Sequence, residues 1–359
     1  MSADLNVNDR GGRVKSNRED LREGRFPRTE QITFKRHADE SDHGCAFLRL
    51  FSRVLLALLF PALFGSTSAP AAFGAEHTIP SPDADVVESR PESESGVPLL
   101  NVWFLDVKEG AATVVKLPDG KCLLVDGGPP EKDVVVPFLE ETACTTLAAV
   151  VLTHPHDDHV GGLTRVIKEI SVERVYDPAV MHPTKSYERF LEAIEADTRI
   201  AYGSPEPEEV WSWDTTVEIQ VLNSGFPPGS KELNDASIVL RIRFDSATVM
   251  LTGDAEEKAE RAVIRRFSGR LHSDLLQVAH HGSRSSTRKQ FLNEVSPRFA
   301  VISCGRGNPY GHPHAEVLRR LREAGVKVFR TDEDGTIHAW TNGRDWFFEK
   351  ERLRSVSVR

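Results

Sequence analysis

The sequence predicts an α+β fold, a four-layer αββα sandwich. Three observations carry that expectation. From Leu100 onward, short apolar, β-branched runs alternate with stretches of helical period. These runs form two mixed blocks, each with several strands and flanking helices, and such blocks bury their apolar faces as two packed sheets covered by helices. No short-period repeat suggests a solenoid instead. The 359 residues are 39% apolar and 28% charged, enough for a real core, so wholesale disorder is excluded.

The elements follow in order. Strands are expected at 102–107 (VWFLDV), 112–117 (ATVVKL), 122–128 (CLLVDGG) and 147–154 (LAAVVLTH). Helices are expected near 131–141, 160–170 and 186–196. The second block has strands at 217–222, 236–244, 247–254, 275–281 and 298–303. Its helices fall near 255–267, 286–295 and 314–324. Asp332, Asp334 and Gly335 read as a hairpin turn. The folded domain is bounded at 100–345, with 346–359 as a C-terminal tail.

The amino-terminal part is organised differently. Residues 1–45 are polar and hold nine Lys/Arg against nine Asp/Glu, the composition of a disordered tail. In 46–75, Arg49 and Arg53 precede an apolar run of about 11 residues, then small residues with Ala69-Pro70-Ala71. That layout is a cleaved signal peptide, with an uncleaved anchor through 46–64 or a short buried helix as the alternatives. The run is short of the ~20 residues that span a bilayer. Residues 76–99 are a Pro/Ser/acid-rich linker. The chain is therefore expected to be exported, or held by one membrane anchor.

Charge narrows the partners. The net charge is −9, the tail is balanced and the two arginines add +2, so the part after Ala75 carries −11. An acidic surface does not suit indiscriminate binding to an extended nucleic acid. Four cysteines without a CxxC pair exclude a disulfide-dense scaffold and a zinc finger. Cys45 would leave with the leader. A Cys122–Cys144 bridge is conceivable in an oxidising compartment, but the odd count of three favours free buried thiols.

Seven of the thirteen histidines fall into three tight groups. The first is Thr153-His154-Pro155-His156-Asp157-Asp158-His159, just past an apolar strand. Imidazole and carboxylate suit zinc, manganese or iron. Four ligands in six residues are too many for one closed site that admits substrate, and fit two adjacent metals sharing a hydroxide. The others are His280-His281-Gly282-Ser283 and Tyr310-Gly311-His312-Pro313-His314. Asp254 in LTGD and Asp126 in DGG sit at strand ends, where a lone carboxylate is as readily a turn or cap residue. Ser283 and Ser286 read best as caps of the next helix, and Pro313 as its neighbour's first helical residue. His182, His272 and His338 stand alone and receive no role.

Together these motifs resemble the metallo-β-lactamase superfamily, and most closely the hydrolase domain of ComEC-type DNA-uptake proteins and their stand-alone relatives. HxHxDH is present as His154, His156, Asp158 and His159, and TGD, AHHGSRSS, LNDAS, YGHPH and TDEDG follow in the family's order over about 240 residues. The resemblance implies the αββα fold and two divalent metal ions, zinc or manganese. His154 and His156 would hold one ion, Asp158 and His159 the second, and Asp254 would bridge. One of His280 and His281 would complete the second site, His280 being preferred because it directly continues the strand. Asp126, Asn234 and Ser283 would support these ligands. Asn234 stands where many members have a further histidine, and an amide is a poor transition-metal ligand, so the first ion would be weaker or hydrated.

The implied activity is hydrolysis of a phosphodiester or related ester by a metal-bound hydroxide. Asp158 and Asp254 would hold the hydroxide, and His312 would bind phosphate or protonate the leaving group. The substrate would be a small anion or a nucleic-acid end. One departure concerns the site's mouth. The subfamily's DVGQGD is replaced by Asp106-Val107-Lys108-Glu109-Gly110-Ala111. Two other readings remain: a lactam hydrolase, which Asn234 and HHGS disfavour, and a non-enzymatic exported accessory of DNA uptake. A single apolar run cannot build a transport channel.

Overall fold

The computed structural model describes residues 97–351. The expected tail (1–45), leader or anchor (46–75) and most of the linker lie outside the described residues, as does 352–359. The first block forms β1 (Leu100–Phe104), β2 (Thr113–Lys116), β3 (Cys122–Val125), α1 (Val135–Glu141), β4 (Thr146–Val151), α2 (Asp157–Val160), α3 (Leu163–Glu169), β5 (Ser171–Val172), β6 (Arg174–Tyr176), α4 (Lys185–Ala196) and β7 (Ala201–Gly203). The second forms β8 (Val210–Asp214), β9 (Val217–Asn223), β10 (Val239–Phe244), β11 (Ala247–Leu251), α5 (Glu257–Phe267), β12 (Leu275–Gln277), α6 (Lys289–Val295), β13 (Phe299–Ile302), α7 (Ala315–Glu323) and β14 (Lys327–Arg330). The chain then returns to the first sheet through α8 (Thr331–Asp334), β15 (Ile337–Thr341) and β16 (Trp346–Lys350).

The first sheet runs β16-β15-β1-β2-β3-β4-β6-β7, with β5 also on β4; the second runs β14-β13-β12-β11-β10-β9-β8. Their packing follows the two-residue period of a strand. Leu100, Val102 and Phe104 of β1 turn inward to meet Leu240, Ile242 and Val249 of the other sheet in the central cluster. The opposite faces are covered by helices. On one side Tyr187, Phe190 and Ile194, on one face of α4, join Leu124 and Val150. On the other, Val263 and Phe267 of α5 and Val317 and Leu321 of α7 join Met250 and Leu276. Three apolar clusters between four layers give the expected αββα sandwich.

Several local expectations are corrected. The supposed tail begins with β16, whose Trp346 and Phe348 enter the central core and which pairs with β15. TDEDG is no hairpin. It forms one helical turn that crosses between sheets, closed by Arg330 N donating to Asp334 Oδ2 (3.0 Å) and by the Arg330–Asp332 ion pair (2.7 Å). Helix α6 has Arg288 as its N-cap without a side-chain bond, so Ser283 and Ser286 do not cap it. Pro313 precedes the N-cap of α7, His314, and is not its first helical residue. Cys122 and Cys144 form a disulfide, and Cys304 is the free, buried cysteine among the described residues, so the odd count misled.

Candidate metal centre

Strand direction explains where the chemistry gathers. β3 and β4 are parallel, as are β11, β12 and β13, so within each set the carboxyl ends share an edge. From those ends come Asp126 after β3, His154 to His159 after β4, Asp254 after β11, His280 and His281 after β12, and His312 beyond β13. At the second sheet's own edge His280 N donates to Gly253 O (3.1 Å), and the two sheets meet where Ile238 N donates to Thr153 O (2.9 Å). Gly253 allows this approach. Its φ is +51°, and a Cβ would stand 2.7 Å from Cβ of Thr153. Asp126, His280 and His281 also take left-handed backbone, with φ of 61°, 51° and 54°. Such strain concentrates where surrounding structure fixes functional side chains.

Each key imidazole has one nitrogen pinned and the other turned to the centre. His159 Nδ1 donates to Asp126 Oδ2 (2.7 Å). His154 Nδ1 lies 3.1 Å from Thr153 Oγ1, which itself donates to Asp126 Oδ2 (2.8 Å). His281 Nδ1 donates to the carbonyl of Ser303 (2.9 Å), and His280 Nδ1 to Glu256 Oε1 (3.0 Å). The free nitrogens converge. His159 Nε2 is 3.2 Å from His281 Nε2 and 3.3 Å from Asp254 Oδ1. His281 Nε2 is 3.3 Å from Asp158 Oδ2 and 3.5 Å from Asp254 Oδ2. His154 Nε2 is 3.7 Å from Asp254 Oδ2 and 2.9 Å from His156 Nδ1.

The electrostatics oppose one another. Burial pushes the Asp254 carboxyl up, but His281, His159 and His154 outweigh it and hold it well below the usual carboxylate range. Asp158 is likewise lowered, burial being overcome by His159 and His281. Burial pushes His281 down, yet Asp254 and Asp158 prevail and raise it to about 10. His154 is driven well below its ordinary value by burial and by His159. The carboxylates thus call for positive charge at the centre.

A divalent ion meets that demand, and the donors fit one. Nitrogens 2.0–2.1 Å from a tetrahedral ion stand about 3.3 Å apart, and the separations above run from 2.9 to 3.7 Å. Pinning of the outer nitrogen by carboxylate or carbonyl is the usual support of a metal-binding histidine. Two overlapping donor groups occur, His154–His159–Asp254 and Asp158–His159–His281. His281 therefore points into the donor cluster more directly than His280, whose Nε2 is 3.8 Å from Asp254 and whose ring leans on Glu256, Asn234 and Ser285. The sequence preference for His280 assumed that the strand continued; β12 ends at Gln277, and the turn after it re-aims both rings.

The cluster opens into a cavity of about 340 Å³ lined in part by Glu109, His156, Asp158, Asp254, His281 and His312. The ring of His312 is 5.4 Å from that of His280, and burial with His280 and His281 lowers its pKa to about 4. Asn234 Nδ2 donates to Glu256 Oε1 (3.2 Å), leaving buried Oδ1 without a hydrogen-bond partner among the described residues. Ser283 lies outside, against Ser285 Oγ (2.9 Å). Sequence reasoning missed Glu256, two residues past Asp254, and His182, whose ring packs on His156 at 5.4 Å. Glu256 stood beside a recognised motif; His182 had no sequence signal. Beyond the cavity, Arg284 N donates to His314 Nδ1 (3.1 Å), and a groove of about 430 Å³ is lined by Arg284, Arg288, Lys289, Glu316, Arg319 and Arg320.

Residues 105–306 match the family model of the metallo-beta-lactamase superfamily. The chain is 34% identical over 209 residues to "ComE operon protein 3" of Bacillus subtilis (strain 168), covering 57% of this chain and 26% of that protein. It is 32% identical over 254 residues to "Competence protein ComA" of Neisseria gonorrhoeae, covering 70% of this chain and 33% of that one. It thus spans a third or less of these relatives' length. A solved structure, Igni18, a novel metallo hydrolase from Ignicoccus hospitalis KIN4/I, aligns with TM-score 0.46 and 16% identity, covering 66% of this chain and 98% of that one.

Proposed function

The chain belongs to the metallo-beta-lactamase superfamily, and from that premise we propose that it is a metal-dependent hydrolase of phosphodiesters or related esters. The observation that carries this reading is the convergence of inward-facing imidazole nitrogens on Asp254, with each outer nitrogen of His154, His159 and His281 already engaged.

In this reading His154 and His156 would hold one divalent ion, Asp158, His159 and His281 would hold a second, and Asp254 would add its carboxylate to the donor set. Bound zinc or manganese supplies Lewis acidity, lowering the pKa of water toward about 7. The protein's own part is to fix and to orient. Asp126 sets the tautomers of His159 and, through Thr153, of His154. His312, whose pKa is lowered by burial, is a neutral ring at working pH. It serves as a hydrogen-bond partner for substrate oxygens and not as a strong acid. The Oδ1 of Asn234, which has no hydrogen-bond partner among the described residues, accepts a hydrogen bond from substrate or water.

Phosphoester chemistry is favoured by the basic groove beside His314. Arg284, Lys289 and Arg320 have no carboxylate within 4.0 Å among the described residues, in a protein whose charge is otherwise strongly acidic. A small anion or a strand end is the proposed substrate. Export, cleaved or anchored, is the proposed location, and the Cys122–Cys144 bridge supports an oxidising compartment.

The test is turnover by the purified chain with Zn²⁺ or Mn²⁺. Hydrolysis of bis-p-nitrophenyl phosphate, lost in His156→Ala and Asp254→Ala, with no hydrolysis of nitrocefin, is the expected outcome. Failure to cleave any phosphodiester, nucleic acid included, overturns the reading.

A further inference from the structure

Glu109 sits on the loop after β1, and its partly exposed side chain lines the cavity. Gly110 follows it with φ +89°, and a Cβ there would lie 1.9 Å from the carbonyl oxygen of Asp158. Ala111 N donates to that same oxygen (3.2 Å), so the loop is clamped to the segment that carries Asp158 and His159. Lys108, with φ 70°, turns outward to Asp106 (2.8 Å). Glu109 turns the other way and lines the cavity with Asp158, Asp254 and His281. Gly305 leaves the room it needs: a Cβ on Gly305 would come 2.8 Å from Glu109 Oε1.

The carboxylate has no ion pair or hydrogen bond among the described residues. The His281 imidazole attracts it across the cavity without a contact, and a carboxylate with no close pair among the described residues is left to act on what enters. Repulsion grows with the charge of the entering group. A phosphodiester or a carboxylic ester brings one negative charge or none, whereas a phosphomonoester brings two above its second pKa of about 6.

We propose that Glu109 is a specificity-determining residue that filters substrates by charge, admitting diesters and neutral esters and disfavouring dianionic monoesters and inorganic phosphate. This rests on the ester-hydrolase reading but is separable from it.

The experiment uses the metal-loaded full chain at pH 8, comparing wild type, Glu109→Gln and Glu109→Ala. Three quantities are read: kcat/KM for p-nitrophenyl phosphate relative to bis-p-nitrophenyl phosphate, calorimetric Kd for inorganic phosphate, and metal content. Loss of the charge in either variant should raise the monoester-to-diester ratio roughly tenfold and tighten phosphate by a similar factor, with metal content unchanged. An unchanged ratio and phosphate Kd overturn the filter. So does loss of metal in Glu109→Gln, which would make Glu109 a ligand, or an effect confined to Glu109→Ala, which would make it a matter of size. If the wild type cleaves no phosphoester, the hydrolase reading fails by itself, and the phosphate Kd alone decides the filter.

Discussion

Asp126 and His159 are joined by a 2.7 Å contact between carboxylate Oδ2 and imidazole Nδ1, with both side chains buried. The same carboxylate accepts from Thr153 N and Thr153 Oγ1, both at 2.8 Å. One aspartate therefore orients His159 directly and His154 at one remove. Asp126→Asn should weaken metal affinity by roughly 10–100-fold, as loss of such support does elsewhere. A chelator competition titration measures it, with circular dichroism as the folding control. Unchanged affinity contradicts the linkage.

Gly253→Ala should destabilise the fold by about 2 kcal/mol or more. Left-handed backbone costs an alanine roughly 1 kcal/mol, and its methyl would overlap Thr153, which is fixed by Asp126. Denaturant unfolding checks this. A variant as stable as the parent would mean that the two sheet edges are not held together here.

Much of this was legible in the sequence, for a physical reason. Ligand-bearing loops follow buried, apolar strands such as 146–151, and those runs are easy to read. Less legible were β5, β6 and β7, two or three residues long, and β14, whose Lys327 and Arg330 disguise an edge strand. β16 hides as a tail in the sequence, since Glu349 and Lys350 follow its aromatics. The choice between His280 and His281 depended on a turn after Gln277 that no periodicity announces. His182 reaches the site through tertiary packing alone, whereas Glu256 arrives two residues after Asp254.

The Cys122–Cys144 disulfide ties β3 to the start of β4 across a separation of 22 residues. Reduction, or replacement of both cysteines by serine, should cost about 3 kcal/mol by the chain-entropy relation. Thermal unfolding with and without reductant measures the loss. Alkylation of both thiols in non-reduced, folded protein would contradict the bridge.

Burial raises Asp177 to about 6, even though Ala179 N (2.6 Å) and Tyr187 Oη (3.0 Å) donate to its carboxylate. The native state keeps a proton that the unfolded chain has released, so between about pH 4 and 6 the native state binds more protons and stability falls as pH rises. Asp177→Asn should remove that contribution, gaining up to about 3 kcal/mol on the wild type between pH 4 and pH 7. Urea unfolding at the two pH values tests it; parallel behaviour of the two proteins contradicts it.

Whether the converging histidines and aspartates hold metal is read from metal content per chain by mass spectrometry, after loading with zinc or manganese and dialysis, for the wild type, Asp254→Ala, His281→Ala and His280→Ala. About two ions are expected in the wild type, at most one in Asp254→Ala and in His281→Ala, and both retained in His280→Ala. A wild type that retains no ion, or an Asp254→Ala variant that retains two, would contradict metal binding by these residues.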